Sequence, residues 1–433
     1  MNRVLAKDVK NKIGEEIKLQ GSLHKVRGLG GLTFGVLRDR SGIIQIITED
    51  KDSMLPKLKR ESIIEIIGTV KEQERAPSGV EVLISELNVI SEVKEDLPFE
   101  IDKKDINANI DTILNHRGIS LRNLKNRAIF KVQATILKAY RDFLRSKDFT
   151  EVNTSKIVEN ATEGGSEVFE IKYFDRSAYL AQSPQFYKQL TMGVFERVFE
   201  TNFVYRAEPH NTSRHINEYL SLDAEFGYID DFYDIINLEN EMLVYIINVV
   251  SLENKEELAL FDVDLPKIPE NKKIPNIKFR DAQKILEEKF GKNCKGVDDL
   301  EPEHERLLCK YALEELGSDF LFVTHYPTVT RPMYTMPDSE NLENTCSFDL
   351  LCRGLEITTG GQRIHNYEML CLNIEKWGNK LSDFEDYLEL FKYGMPKHGG
   401  WGMGLERITG RFLGLSNVKE STILPRDVDR LNP

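Results

Sequence analysis

Two arginines in distinctive surroundings are the first residues of this chain that could do chemistry. Tyr205-Arg206-Ala207-Glu208 is followed closely by Arg214 and His215, and Gly400-Trp-Gly-Met-Gly-Leu-Glu-Arg407 lies near the C-terminus. A guanidinium makes two-point contacts with phosphate oxygens, and glycine clears side chains from a backbone that passes close to a ligand. Arg206 with Glu208, and Arg407 beyond alternating glycines ending at Gly404, together suit a polyphosphate bound without a P-loop. Alone, the glycine run would serve equally well as a tightly packed strand–turn–helix, so the pairing of the two segments carries the signal.

Other residues widen the candidate site. Asp349 and Glu356 are hard oxygen ligands of the kind Mg²⁺ takes together with phosphate oxygens. If they lie on one strand, their spacing of seven places them on opposite faces, and sharing a metal requires a bend or bulge. Lys188 and Arg363 are cations within the segments Gln182-Ser-Pro-Gln-Phe-Tyr-Lys188 and Gly360-Gly-Gln-Arg-Ile-His365. Either could equally be a surface ion pair; together, in one pocket, they would select a carboxylate over a neutral amide.

Elements of recognisable period must position these groups. Residues 16–48 alternate as strands, with turns at Gly28, Gly30 and Gly31 and at Asp39-Arg-Ser-Gly42; 62–70 and 80–91 read as further strands. Four or five short strands in the first 95 residues suit a small Greek-key barrel, most economically an OB-fold, or else a small sandwich. Residues 96–122 are charged and aperiodic, as in a hinge. From 123 to 433 the chain reads as a second domain. Ile129, Val132, Ile136, Ala139, Tyr140, Phe143 and Leu144 recur at helical steps, and strands are expected at 167–173, 178–181, 196–206 and 218–229. A helix over 230–255, a mixed segment to 340, strands across 345–375 and a last helix from about 402 complete it. Strands grouped with few βαβ alternations predict an α+β fold whose antiparallel sheet is flanked by helices.

Composition bounds the rest. With 433 residues, 40% hydrophobic and 30% charged, the chain is long enough for two domains with large cores. No run of about 20 apolar residues is evident, and Lys7, Lys10 and Lys12 interrupt any signal-peptide core, so no membrane partner and a cytoplasmic location are expected. Five cysteines without a CxxC pair suggest reduced thiols and no zinc site. A net charge of −13 argues against indiscriminate nucleic-acid coating, yet the first 50 residues hold nine Lys and Arg against six Asp and Glu. The basic end is the barrel.

Phe203-Val-Tyr-Arg-Ala-Glu208 and the Gly-rich segment ending at Arg407 resemble motifs 2 and 3 of the class II aminoacyl-tRNA synthetases. The run Gln182 to Lys188, residues 360–366 and the terminal Leu424-Pro-Arg-Asp427 make the chain similar to the aspartyl-tRNA synthetases of archaeal type, from about Ile17 onward. The resemblance implies aspartate, ATP and Mg²⁺ as substrates and cofactors, tRNA(Asp) as partner, a homodimer, and an aspartyl-adenylate intermediate. Arg206 and Arg407 would hold the α- and γ-phosphates and act as the catalytic pair. Glu208, Arg214, His215, Glu356 and Gly404 would complete ATP binding, although a simple loop hydrogen bond also accounts for His215. Asp349 and Glu356 would hold the metal. Glu163 in the loop Ala161-Thr-Glu-Gly-Gly165, Ser183, Gln185, Lys188, Arg206, Thr359 and Arg363 would surround aspartate.

In the barrel the resemblance implies an anticodon-binding face with Phe34 stacking on a base, unless Phe34 is a core aromatic, and with Gln45 and Glu81 reaching base edges. His24 and Pro77 stand where enzymes restricted to tRNA(Asp) tend to carry Trp and Lys. They resemble the nondiscriminating forms that also charge tRNA(Asn), whose product an amidotransferase must then convert. Thr154-Ser155 departs from the Thr-Pro of motif 1, and the large insertion of bacterial aspartyl enzymes is absent, a moderate segment occupying 230–340. Two other readings stand beside it: an asparaginyl-tRNA synthetase of the same fold and reaction, against which Lys188 and Arg363 speak, and a catalytically inactive RNA-binding regulator built on the same body, against which intact Arg206, Glu208, Glu356 and Arg407 speak.

Overall fold

The computed structural model describes residues 1–76, 78–159 and 167–432. The chain divides into two compact units, Met1–Ala108 and Asn109–Pro433, so the division falls inside the 96–122 segment.

The first unit is a closed barrel of β1 (Glu16–Leu29), β2 (Leu32–Arg38), β3 (Ile43–Thr48), β4 (Ile63–Glu72) and β5 (Val80–Ser91), in the order β1-β2-β3-β5-β4. Strict alternation makes it close: Ile64, Ile66 and Val70 of β4 point inward with Leu37, Ile44, Ile46 and Val82. Gly68 is needed at a bulge in β4, because a Cβ there would fall 2.4 Å from the Leu83 carbonyl oxygen. A second bulge, between Leu23 and Lys25, changes one expectation. His24 is the extra residue of that bulge and turns inward, 5% exposed, with Nδ1 2.9 Å from the Arg38 guanidinium, itself paired with buried Glu61 at 2.6 Å. His24 is therefore nearly closed off from solvent and committed to Arg38. Pro77 lies outside the described residues.

The outer barrel face keeps the other expected contacts together. Phe34, Gln45 and Glu81 follow in register across β2, β3 and β5, since Phe34 pairs with Ile47 and Gln45 with both Val36 and Glu81. Phe34 is half-buried beneath the Arg27 guanidinium, 5.5 Å from its ring, while Gln45 and Glu81, 9% and 7% exposed, are nearly as enclosed as His24 and are bonded to each other, Gln45 donating to Glu81 at 2.7 Å.

In the second unit, the helices are α1 (Ile110–Asn115), α2 (Arg117–Ser120), α3 (Leu124–Ser146), α4 (Gln185–Phe195), α5 (Tyr233–Glu253), α6 (Lys255–Leu258), α7 (Phe279–Phe290), α8 (Pro302–Leu316), α9 (Tyr367–Lys376), α10 (Glu385–Lys392) and α11 (Leu405–Leu413). Its strands are β6 (Thr150–Glu151), β7 (Ile157–Val158), β8 (Glu170–Tyr173), β9 (Arg176–Leu180), β10 (Arg197–Tyr205), β11 (Glu218–Gly227), β12 (Asn276–Lys278), β13 (Phe320–Thr324), β14 (Ser347–Cys352), β15 (Leu355–Arg363) and β16 (His398–Gly404). Eight form one sheet, ordered β12-β13-β14-β15-β16-β11-β10-β6, antiparallel except at its two edge pairs; β7, β9 and β8 form a small separate sheet.

Helices α3, α5 and α11 cover one sheet face around buried Trp401, Phe199, Phe322 and Phe348. Helix α5 is long and apolar enough by composition to cross a membrane, which the sequence reading had not anticipated. Its Ile235, Met242, Leu243, Ile246 and Val250 are instead buried in the core. The segment between the two arginine motifs is part of the same sheet, supplying edge strand β12 and its neighbour β13 and packing α7 and α8 against them through Phe279, Leu286, Leu308 and Val323. The last part of the expected strand region 345–375 is helical: Asn366 caps α9 by accepting from the Met369 amide.

Candidate active site

The open face of the sheet carries a cavity of roughly 360 Å³, and nearly all the expected site residues of the second unit line it. Arg206 leaves the end of β10, and its turn is held from both sides by Asn217. The Arg206 amide donates to the Asn217 carbonyl at 2.9 Å, while the Asn217 side-chain amide donates to the Arg206 and Glu208 carbonyls at 2.7 and 3.0 Å. The Arg206 guanidinium sits 5.9 Å from the Tyr219 ring, with Glu208 3.8 Å away. His215 is fixed by Thr212 at 2.7 Å, and burial pushes its pKa down despite nearby Glu208.

Opposite, β16 runs straight into α11. Glycine is required there for two different reasons. At Gly400 a Cβ would fall 1.9 Å from the Ala224 carbonyl oxygen, so the demand comes from the neighbouring strand and not from a ligand. Gly402 and Gly404 do line the cavity and leave its floor open. Arg407, in the first turn of α11, donates to the Glu356 carbonyl at 3.0 Å and lies 3.4 Å from its carboxylate, which also accepts from the Thr359 hydroxyl at 3.1 Å.

Asp349 and Glu356 occupy two strands of a hairpin, β14 and β15, and not a single strand. The hairpin separates their roles. Glu356 faces the cavity; Asp349 is buried, does not line it, and accepts from Arg331 at 2.7 Å. Burial raises the Asp349 pKa to about 6 against the pull of Arg331. The expectation that both carboxylates hold one cation is corrected on this geometry: Asp349 anchors Arg331, which does line the cavity. Among the described residues no cluster of three potential metal-ligating side chains exists. Glu356 beside the Thr359 hydroxyl fits a Mg²⁺ ion whose remaining ligands are phosphate oxygens and water.

At the other end, Lys188 and Arg363 converge as expected, but neither charge is bare. Lys188 Nζ lies 3.1 Å from Asp223, 3.3 Å from Glu225 and 3.1 Å from the Trp401 carbonyl; Arg363 Nε lies 3.0 Å from Glu225. Burial pushes the Glu225 carboxyl up, but Arg363 and then Lys188 outweigh it and hold its pKa below the ordinary carboxylate range. Two cations and two carboxylates thus balance before any substrate enters. Gln185 is oriented from behind: it donates to Gln189 at 3.0 Å, which also accepts from the Tyr387 hydroxyl and donates to His398. Burial lowers the His398 pKa to about 4, so Nε2 is free to accept from Gln189 while Nδ1 donates to the Pro396 carbonyl. Ser183 accepts from the Gln185 amide at 3.1 Å. Glu163 lies outside the described residues.

Sequence reasoning missed Asn217, Asp223, Glu225, Arg331 and Glu305. The alternation of polar Ser221, Asp223 and Glu225 along an otherwise buried strand was the available signal for two of them. Glu305, from α8, accepts from Arg214 and from the Glu356 amide, the latter at 2.8 Å; burial and Glu356 raise its pKa to about 7.

A profile of tRNA synthetases class II (D, K and N) matches residues 109–428, and one of OB-fold nucleic acid binding domains matches 17–90. The chain belongs to the class II tRNA synthetases. It is 46% identical to the aspartate–tRNA(Asp/Asn) ligase of Deinococcus radiodurans over all of this chain and 99% of that protein. It is 40% identical to the aspartate–tRNA(Asp) ligase of Pyrococcus horikoshii over 97% of both. Its fold is similar to the asparaginyl-tRNA synthetase of P. horikoshii complexed with asparaginyl-adenylate, with TM-score 0.93, 31% identity and complete coverage of both chains.

Proposed function

We propose that this synthetase joins L-aspartate to tRNA(Asp), and also to tRNA(Asn), at the expense of ATP. The observation that carries the amino-acid choice is Lys188 and Arg363, fixed by Asp223 and Glu225 at the far end of the cavity from Arg407 and Glu356. The aspartate α-carboxylate attacks the α-phosphorus of ATP in line. One P–O bond forms, the bond to the β-phosphate bridge breaks, and pyrophosphate leaves with the electron pair. The terminal ribose hydroxyl of tRNA then takes the aspartyl group and AMP departs. No side chain is needed as covalent nucleophile.

In this reading Arg206 holds the α-phosphate against developing charge, and Arg407 and Arg214 hold the far phosphates. Glu208 and His215 position the nucleotide, and Glu356 with Thr359 would hold a Mg²⁺ ion, which when bound would supply neutralisation of phosphate charge. Ser183, Gln185 and Glu163 orient the amino acid. Phe34, Gln45 and Glu81 read the anticodon. The homodimer is supported by exposed Leu190, Val194 and Phe195 of α4 and Phe203 of β10, which pack as neighbouring elements. Cytoplasmic location follows from the same reading.

The asparaginyl alternative has the structural neighbour cited above in its favour; against it stands the higher, full-length identity to the aspartate–tRNA ligases. Aminoacylation with labelled aspartate and asparagine on unmodified tRNA(Asp) and tRNA(Asn) transcripts decides. Aspartate is expected on both. Aspartate on tRNA(Asp) alone removes the dual specificity, asparagine charging favours the alternative, and no charging favours an inactive regulator.

A further inference from the structure

Next to the main cavity lies a smaller one of roughly 150 Å³ with an unusual wall. Five arginines line it: Arg214, Arg306, Arg353, Arg407 and Arg411. The one acid among its described lining residues is Glu406, whose pKa burial raises to about 8, leaving it neutral at pH 7. Such a concentration of positive charge is conspicuous in a chain of net charge −13.

The guanidinium groups are incompletely compensated. Arg353 is committed to Asp319 at 3.2 Å, Arg214 to Glu305 and Arg407 to Glu356. Arg411 donates to the Arg353 and Leu415 carbonyls, and its Nε is buried with no hydrogen-bond partner. Arg306 is exposed; its nearest acid, Glu303 one turn away, is paired with Lys292 at 2.6 Å and gives it only a longer-range attraction. Its aliphatic stem is held over the β14–β15 turn so closely that a Cβ on Gly354, at φ +81°, would lie 2.9 Å from it. Two cations thus exceed the available carboxylates. Guanidinium donors in this number suit a small, multiply charged oxyanion.

Arg214 and Arg407 belong to both cavities, so an anion leaving the far-phosphate end of the main one meets this wall next. We propose that the smaller cavity is a second oxyanion site, which receives the pyrophosphate released when the adenylate forms. The inference rests on the placement of the far phosphates at Arg214 and Arg407 given above. Arg306 would be its entry group, drawing the product away from the reaction centre and disfavouring the reverse reaction.

The test is calorimetric titration of inorganic pyrophosphate into the full-length enzyme already saturated with Mg²⁺ and a non-hydrolysable ATP analogue. One pyrophosphate per chain is expected to bind, about tenfold more weakly in Arg306→Glu, the scale of one lost charge-assisted contact, and close to the parent value in Arg306→Lys. Absence of binding to the saturated enzyme would mean that pyrophosphate only competes for the triphosphate site, and overturns the proposal. Binding unchanged in Arg306→Glu overturns it as well. Failure of the analogue itself to bind removes the phosphate placement, and the second site with it, by a separate signal.

Discussion

Replacing Lys188 by Met tests the reading of the amino-acid pocket most directly. Methionine keeps most of the length and apolar stem while removing the charge. The lysine is 2% exposed and contacts Asp223, Glu225 and the Trp401 carbonyl at 3.1–3.3 Å. Without it, Asp223 and Glu225 face only Arg363, so the local charge moves from zero to −1, and aspartate would bring it to −2. Losing one partner of a buried ion pair costs about 3–5 kcal/mol, and losing a hydrogen bond to a charged group costs about 1.5–3 kcal/mol. Taking about 3–4 kcal/mol as the loss borne by bound aspartate, kcat/KM should fall roughly 10²- to 10³-fold. Asparagine brings no charge, so its loss should stay within about tenfold and the aspartate preference should shrink. ATP–pyrophosphate exchange with each amino acid measures this, and a thermal melt separates it from unfolding. Aspartate activity within tenfold of the parent, or equal losses for both amino acids, would refute the reasoning.

Other perturbations probe different parts of the chain. Arg407→Ala should lower the rate of adenylate formation by about 10²–10³, the scale of losing one fixed donor to developing charge; a loss confined to the KM for tRNA would contradict its placement. Phe34→Ala should weaken tRNA binding by about 1–3 kcal/mol if a base stacks there, raising the KM for tRNA while pyrophosphate exchange stays at the parent rate. Gly400→Ala should fail to accumulate as folded protein, because its Cβ would meet the Ala224 carbonyl at 1.9 Å; a variant melting within a few degrees of the parent would show that β16 can shift. Glu239 is buried on α5, and burial raises its pKa from the ordinary carboxylate range, near 4.5, to about 8. The folded state therefore holds a proton that the unfolded chain releases, so this contribution is complete below about pH 4.5 and is lost as pH rises toward 8. Glu239→Gln should lose less melting temperature than the parent between pH 5 and 8; parallel slopes would speak against a neutral Glu239.

Much of this protein is readable residue by residue. Barrel alternation, the periodicity of α3, and the arginine motifs are local patterns, because strand period, helix period and glycine backbone freedom act over a few residues. Arg206, Glu208, Glu356, Thr359, Lys188, Arg363 and Arg407, singled out from those motifs, line one cavity.

What the tertiary structure alone decided are pairings between residues far apart in the chain. His24 reads as a surface contact until a single bulge turns it onto Arg38. Asp349 reads as a metal ligand until the hairpin hands it to Arg331, and Lys188 and Arg363 read as bare cations until β11 brings Asp223 and Glu225 between them. Glu305 meets Arg214 across 91 residues, and the five arginines of the second cavity come from four separate regions. A charge takes its role from its nearest neighbours and its access to water, and both are set by the packing of strands and helices rather than by order along the chain.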